Sequence, residues 1–446
     1  MHAVEQRDAA HELLIRWPWW LHPAWALTLL TGSMALLAVL LPYSTYREWN
    51  VPKYLSGSLS LILLGLIAAM LVGILIGTGG HLRRDEVSVR FTTRQVQYLR
   101  QAYRLLFMLT LLGYVVWFAS AYAQGVSYQN LTGVLSRESG AISNLKELSR
   151  PIGGVTTMTQ FGPLVVAIGA VLYRLRLIRR RYLLFLLLAT VRTLFYAERL
   201  ALIEVALPLM VIAALTVHGT SRRARFVRIA PLVATPVLWL LFAASEFTRS
   251  WVYYQGITTL PFHQWVSLRL AGYYTTSFNN SALMVESREG LGVPPYFAVE
   301  GFWNAPFVSS IVDPPTMYNS PPGEWWASML DGYANPEFNN TGSFLITFAE
   351  FGLIAAILFW LLVGIAVGRI VRRGAGGSVP ALLAVATLFV GLLELPRFMY
   401  WTQGRAVPLL LGLVLLAWLF PRSHSGDRVD GAEPLSRQQI KPAYTR

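Results

Sequence analysis

The 446-residue chain contains no cysteine. That excludes a disulfide framework, a thiolate nucleophile and any cysteine-ligated metal. It is also short of charge: 13% of residues are Asp, Glu, Lys or Arg, where a soluble domain carries about 25%. No HExxH, Asp-rich triplet or Walker A sequence occurs, so neither a metal nor a nucleotide cofactor is expected. Residues 1–20 lack a short apolar core followed by a cleavage site, so a cleaved signal peptide is not expected. The first apolar span is expected to act as the insertion signal.

What the chain has in quantity is apolar sequence, with 54% hydrophobic residues. A membrane-crossing helix needs about 20 mostly apolar residues. Spans of that kind are read at about 24–41, 55–77, 102–123, 161–178, 182–196, 199–217, 227–245, 343–367, 380–396 and 405–420. Trp17, Trp19 and Trp20 precede the first of them, as an interfacial aromatic belt would. The expected fold is therefore an all-α, polytopic transmembrane bundle of about ten helices. It forms a single transmembrane domain over 1–420, followed by a flexible tail over 421–446.

The net charge is +14, with 37 Lys and Arg against 23 Asp and Glu. A basic excess can signal nucleic acid, but in so apolar a chain it is better read as an orientation signal, and no nucleic-acid partner is expected. With the N-terminus inside, alternate loops collect 25 of the 37 basic residues, including every short cluster, such as Arg179–Arg181 and Arg222–Arg228. The positive-inside rule then places both termini in the cytoplasm. The stretch Tyr182–Val217 is too long for one crossing, at about 54 Å against a hydrocarbon core of about 30 Å. It is expected to form a hairpin turning near Arg192–Arg199. On the outer side lie residues 124–160 and a longer loop, about 246–342, expected to contain short helices and rich in Tyr and Trp.

Charges close to the membrane mark functional sites. Arg192, Glu198 and Arg199 fall in the hairpin turn, with Glu204 in the next span. Two readings stay open. Arg199 pairs with Glu198 or Glu204 and holds the hairpin, or the arginines form an outward anion site, since guanidinium forks match phosphate oxygens. Glu394, Arg397 and Arg405 form a second outer group around Tyr400 and Trp401, serving as interfacial anchors or as further phosphate ligands. The long loop adds Arg249, Arg269 and Arg288, the carboxylates Glu246, Glu300, Asp331 and Glu337, and His263. Carboxylates among aromatic rings suit sugar binding. The Asn279–Asn280–Ser281 and Asn339–Asn340–Thr341 glycosylation sequons are read as chance matches.

The segment Asn335–Ile354, reading NPEFNNTGSFLITFAEFGLI, closes the long loop and opens the next helix. It resembles the corresponding stretch of Wzy-type oligosaccharide repeat-unit polymerases and, more distantly, the O-antigen ligases. In both, an Asn-bearing loop end leads into a helix with an acidic–aromatic–Gly–Leu step, here Glu350-Phe351-Gly352-Leu353. Arg192 or Arg199 also looks like the arginine those families carry between two short helices. The ligases have a histidine before the Asn; here the residues are Phe338-Asn339-Asn340, which favours the polymerase branch.

The resemblance implies glycosyl transfer at the outer leaflet of a bacterial cytoplasmic membrane, without metal or other cofactor. The donor would be a glycan on undecaprenyl pyrophosphate and the acceptor another lipid-linked unit. A flippase and a chain-length regulator would be partners alongside the bilayer. Arg192, Arg199, Arg397 and Arg405, with Arg269 and Arg288 from the loop, would bind substrate. Glu350, Asp331 and Glu337 would be the candidate bases, although for Glu350 bracing of the large loop through hydrogen bonds is the favoured reading. The competing classes are a transporter or flippase for a lipid-linked or anionic substrate, and a scaffold subunit.

Overall fold

The computed structural model describes residues 11–421, apart from 81–85, 137, 139, 153, 197–198, 218–221, 289–293, 306–307 and 309–310. The tail expected over 421–446 lies outside the described residues except for Pro421. The chain is mostly α-helical. Its main helices are α1 (Pro23–Leu40), α2 (Gly57–Thr78), α3 (Thr93–Ala123), α4 (Thr156–Arg174), α5 (Leu184–Tyr196), α6 (Arg199–Leu215), α7 (Arg222–Arg249), α8 (Phe262–Arg288), α9 (Phe344–Phe351), α10 (Leu353–Ala375), α11 (Val379–Glu394) and α12 (Val407–Leu419). One feature is not helical: β1 (His11–Ile15) pairs antiparallel with β2 (Val87–Phe91).

Among the described residues six helices are long and apolar enough to cross a membrane: α1, α2, α3, α4, α10 and α7 over Ala224–Phe247. They mark the chain as a membrane protein. The helices α5, α6, α11 and α12 have 13, 17, 16 and 13 residues. At 1.5 Å per residue α5 spans about 20 Å, less than a hydrocarbon core.

The helix ends carry recognisable local chemistry. Ser56 caps α2 through Leu59 N, and Thr92 and Gln95 form a capping box on α3. Gly79 ends α2 at φ +73°. The helices α2 and α10 pack with their backbones in contact. Gly73 and Gly77 of α2 meet Gly364 and Gly368 of α10, two small-xxx-small faces interlocked.

The basic sequences gather at one end. Arg16 N donates to Leu215 O at the foot of α6, and the indoles of Trp19 and Trp20 donate to Arg228 O and Val227 O in α7. Arg100 reaches Leu177 O, Gln95 reaches Pro421 O, and Gly377 sits against Val87 and Val89 of the ribbon.

The stretch 246–342 differs from expectation. Besides short helices it contains α8, a helix of 27 residues. Its partners lie at the end opposite the basic clusters: Trp49 donates to Leu268 O, and Asn279 bonds Pro52 O and Tyr54 N. The helix thus runs across that end of the bundle. It escaped a search for apolar periodicity because polar residues interrupt its buried surface: Thr275, Thr276, Ser277, Asn279, Asn280 and Ser281 are all fully buried, beside Phe278 and Ala282. Thr275, Thr276, Ser277 and Ser281 satisfy their hydroxyls on the carbonyl four residues back. Burial of Asn279 and Asn280 also removes that sequon from the surface.

Candidate functional site: an arginine–glutamate network across one end of the bundle

The site is built on α8 and on the loop end that leads into α9. Asn280 Nδ2 donates to Phe338 O and Asn340 O, and Ser281 donates to Thr341 O at 2.6 Å. Gly342 then takes φ +69°, a left-handed conformation suited to glycine. A Cβ there would run into Ser281 Oγ and the Ser277 carbonyl. From this turn Gly342 N donates to Arg397 O at 2.8 Å. The Asn-rich motif therefore fixes where Arg397 sits.

Four arginines and four glutamates converge here among the described residues. Arg405 is ion-paired with Glu204: Nη2 donates to Oε2 at 3.4 Å and Nε lies 2.9 Å from Oε1, and Tyr400 OH donates to Glu204 Oε1 at 2.9 Å. Arg397 Nη1 pairs with Glu394 Oε2 at 2.7 Å. Tyr274 lies within electrostatic reach of Glu394, Arg397 and Arg199. Arg199 pairs with Glu246 through Nη2, donates Nε to Ser245 Oγ at 2.9 Å and lies over the Phe242 ring. Arg269 bridges Glu246 at 2.8 Å and Glu337 at 2.6 Å.

The arginines are not equivalent. Arg269 is 6% exposed, boxed by Tyr254, Trp265, Tyr273 and Phe338. All three of its nitrogens are engaged, on Glu246, Glu337 and Ser250. It is a strut. Arg199 and Arg397 keep side-chain exposures of 27% and 26%. Their remaining donors, Nη1 of Arg199 and Nε and Nη2 of Arg397, have no hydrogen-bond partner among the described residues. A guanidinium has five N–H donors, so a carboxylate on one edge orients the other edge rather than silencing it.

The remaining sequence candidates are placed as follows. Arg192 donates Nη1 to Thr159 Oγ1 at 3.0 Å, a partner outside this network. Arg288 ends α8, and its side chain lies outside the described residues, as do Glu198 and the Arg249 side chain. Of the two partners expected for Arg199, Glu198 lies outside the described residues; among the described residues Arg199 pairs with Glu246 and not with Glu204. Glu204 goes to Arg405 instead.

Among the carboxylates, Glu350 accepts from the backbone N–H groups of Tyr296 and Phe297 on Oε1 and of Ala298 on Oε2, at 2.7–2.9 Å. That is the geometry of bracing. Asp331 is exposed on the helix Pro322–Tyr333. Glu337 takes Arg269 Nη1 and Tyr254 OH, both on Oε2, and its side chain is 38% exposed. Burial, and then the bond to Glu337, push the Tyr254 hydroxyl up to about 12.

Beside Glu337 opens a cleft of about 240 Å³ walled by Trp49, Tyr254, Trp265 and Phe338, with Glu48, Asn50 and Asn335 at its polar edge. Neither Trp49 nor Glu246 carries a motif that would single it out. The only sequence signal for Glu246 is an acidic residue at the end of an apolar span. His263 lies at the start of α8, away from the network. Among the described residues no cluster of three or more His, Cys, Asp or Glu could hold a metal ion.

No protein-family description, no curated protein and no solved structure matches the chain.

Proposed function

We propose that this chain is a membrane glycosyltransferase that joins lipid-linked oligosaccharide units, as the Wzy-type resemblance implies. In this reading the end carrying the arginine–glutamate network faces outward from a bacterial cytoplasmic membrane. The basic end and both termini face the cytoplasm, and α5, α6, α11 and α12 complete about ten crossings. A flippase would deliver the lipid-linked units, and a chain-length regulator would act on the product.

One observation carries the reading: Arg199 and Arg397, far apart in sequence, are each held by a buried glutamate on one edge, and the other edge has no hydrogen-bond partner among the described residues. The four arginines and four glutamates described bring the network near neutrality. It would hold an anion through directed N–H donors rather than through excess charge, and pyrophosphate suits such donors.

The chemistry balances simply. An acceptor hydroxyl oxygen attacks the anomeric carbon of the donor glycan. The bond from that carbon to the pyrophosphate oxygen breaks, and its electron pair leaves with the pyrophosphate. Arg199 and Arg397 stabilise the charge that develops there, a large term in such reactions. The hydroxyl proton passes to a carboxylate. Glu337 suits this role better than Glu350 or Asp331, because Oε1 accepts no hydrogen bond among the described residues and the aromatic cleft beside it would seat a sugar ring. Glu350 has both oxygens engaged, and Asp331 lies outside the network.

The test is purified protein in lipid nanodiscs supplied with undecaprenyl-pyrophosphate oligosaccharide, with products sized on a gel. A ladder of longer glycans is expected, and it should vanish in Arg397→Ala. A substrate that stays at one repeat unit with the native protein would sink the proposal.

A further inference from the structure

We infer that the space between α7 and the rest of the bundle holds the hydrocarbon chain of a phosphate-headed membrane lipid, whose headgroup lies at Arg199 and Arg397. The headgroup half of this inference rests on the proposed function; the chain half rests on α7 itself.

The helix α7 is a pillar, fastened at its ends. At the basic end Pro231 has no N–H to give the Val227 carbonyl four residues back. The Trp20 indole supplies that bond at 2.8 Å, and Trp19 bonds Arg228 O next to it. At the other end Phe242 and Ala243 pack with Trp265 and Val266 of α8, and Arg199 reaches across from α6 to Ser245 and Glu246.

Between the basic-end fastening and Trp239, whose indole donates to Ser267 Oγ at 3.0 Å, the helix stands clear. Thr235, Pro236, Val237 and Leu238 are all exposed, and four successive residues go once round a helix of 3.6 residues per turn. Leu240 and Leu241 are exposed as well. Only 11% of the apolar window of α7 is buried, against 78% for α4. Space therefore passes between the middle of α7 and its neighbours, lined by Val, Leu and Pro. In a bilayer an apolar space of this kind fills with hydrocarbon, because water would gain no hydrogen bonds there.

The mouth of the space argues for a phosphate-headed lipid. Arg199 spans it from α6 to α7, its Nη1 without a hydrogen-bond partner among the described residues, and Tyr274 lies within electrostatic reach of both Arg199 and Arg397. A headgroup on those donors has its chain directly above the gap.

Because the chain has no native cysteine, one spin label reports cleanly. Leu238→Cys carries the label in the gap, and Leu362→Cys, on the exposed face of α10, serves as control. Undecaprenyl phosphate is added to the labelled protein in nanodiscs, and geranyl phosphate and undecaprenol are added in parallel. Immobilisation at 238 but not at 362, by undecaprenyl phosphate and not by the other two, is the expected result. Equal effects at both sites would mean bulk lipid and would overturn the inference. So would dipolar broadening between labels at 238, which would mean that a second copy covers α7. Immobilisation by undecaprenol as strong as by its phosphate would overturn the headgroup assignment. Chain binding as expected, with no glycan extension by the native protein, would sink the transferase proposal and leave the lipid site standing.

Discussion

Gly73 of α2 and Gly364 of α10 lie back to back. A Cβ on Gly73 would collide with the Leu361 carbonyl, and one on Gly364 with the Met70 carbonyl. Gly77 and Gly368 repeat the relationship one turn on. Backbone contact of this kind is how helices associate where lipid removes the hydrophobic drive between them. The replacement Gly364→Leu should force α2 and α10 apart and cost about 1–3 kcal/mol or more. The measurement is the Tm of detergent-purified protein, with Gly65→Leu as a control, since nothing lies within 4 Å of a Cβ there. Equal Tm values for the two variants would contradict the packing argument.

Glu246 is fully buried and serves both Arg199 and Arg269. Removing one partner of a buried ion pair leaves an uncompensated charge and costs about 3–5 kcal/mol. The variant Glu246→Gln should therefore yield little folded protein or a much lower Tm. Asp331→Asn, on an exposed carboxylate, should change nothing measurable in stability.

Substitution of lysine at Arg397 or Arg199 should abolish glycan extension while the protein remains folded. An ammonium can keep the pairing to Glu394 or Glu246, but it lacks the second edge of the guanidinium. Loss of such a directed donor in a charged reaction costs about a hundredfold in rate. Lysine variants with native polymer length would remove these residues from the phosphate site.

The variant Glu350→Ala should release the segment 296–298 by deleting three charge-assisted acceptor contacts. Faster proteolysis near Tyr296, with the bundle intact, is the readout. Glu350→Gln keeps one carbonyl oxygen and should fall between the two. If Glu350→Gln kept native protection yet lost all glycan extension, a chemical role would replace the bracing role.

Tyr254 holds its proton to about pH 12 in the folded protein, above its ordinary value of 10.0. A group whose pKa is raised on folding adds stability below its unfolded value, and that stability is lost as pH climbs through the folded value. Tm should therefore fall between about pH 10 and 12, and Tyr254→Phe should flatten that limb of the curve. An unchanged slope in the variant would assign the loss to other groups.

The apolar spans were legible because lipid-facing helices need little else: the ten segments fall on helices, six of the described helices are long and apolar enough to cross a membrane, and the span read at 343–367 divides at Gly352 into α9 and α10. Arg199, Arg397 and Arg405 were legible as outer charges because charged residues beside apolar runs are conspicuous. The reciprocal Gly-x-x-x-Gly faces stand plainly in the sequence at Gly73–Gly77 and Gly364–Gly368, a spacing that could have paired α2 with α10 in advance. The helix α8 was not legible. Ser, Thr and Asn interrupt its buried surface, their hydroxyls and amides satisfied by backbone groups, and no hydropathy pattern reports that.

Sequence alone determined that this chain lives in a membrane and that its basic clusters gather at one end, since burial of apolar side chains and the placement of exposed charge depend on residue type. Which glutamate answers which arginine was decided only by the tertiary structure. Among the described residues Arg199 found Glu246 rather than Glu204, and Glu204 found Arg405, 201 positions away. Ion pairing depends on distance across folded helices, and no spacing along the chain encodes it.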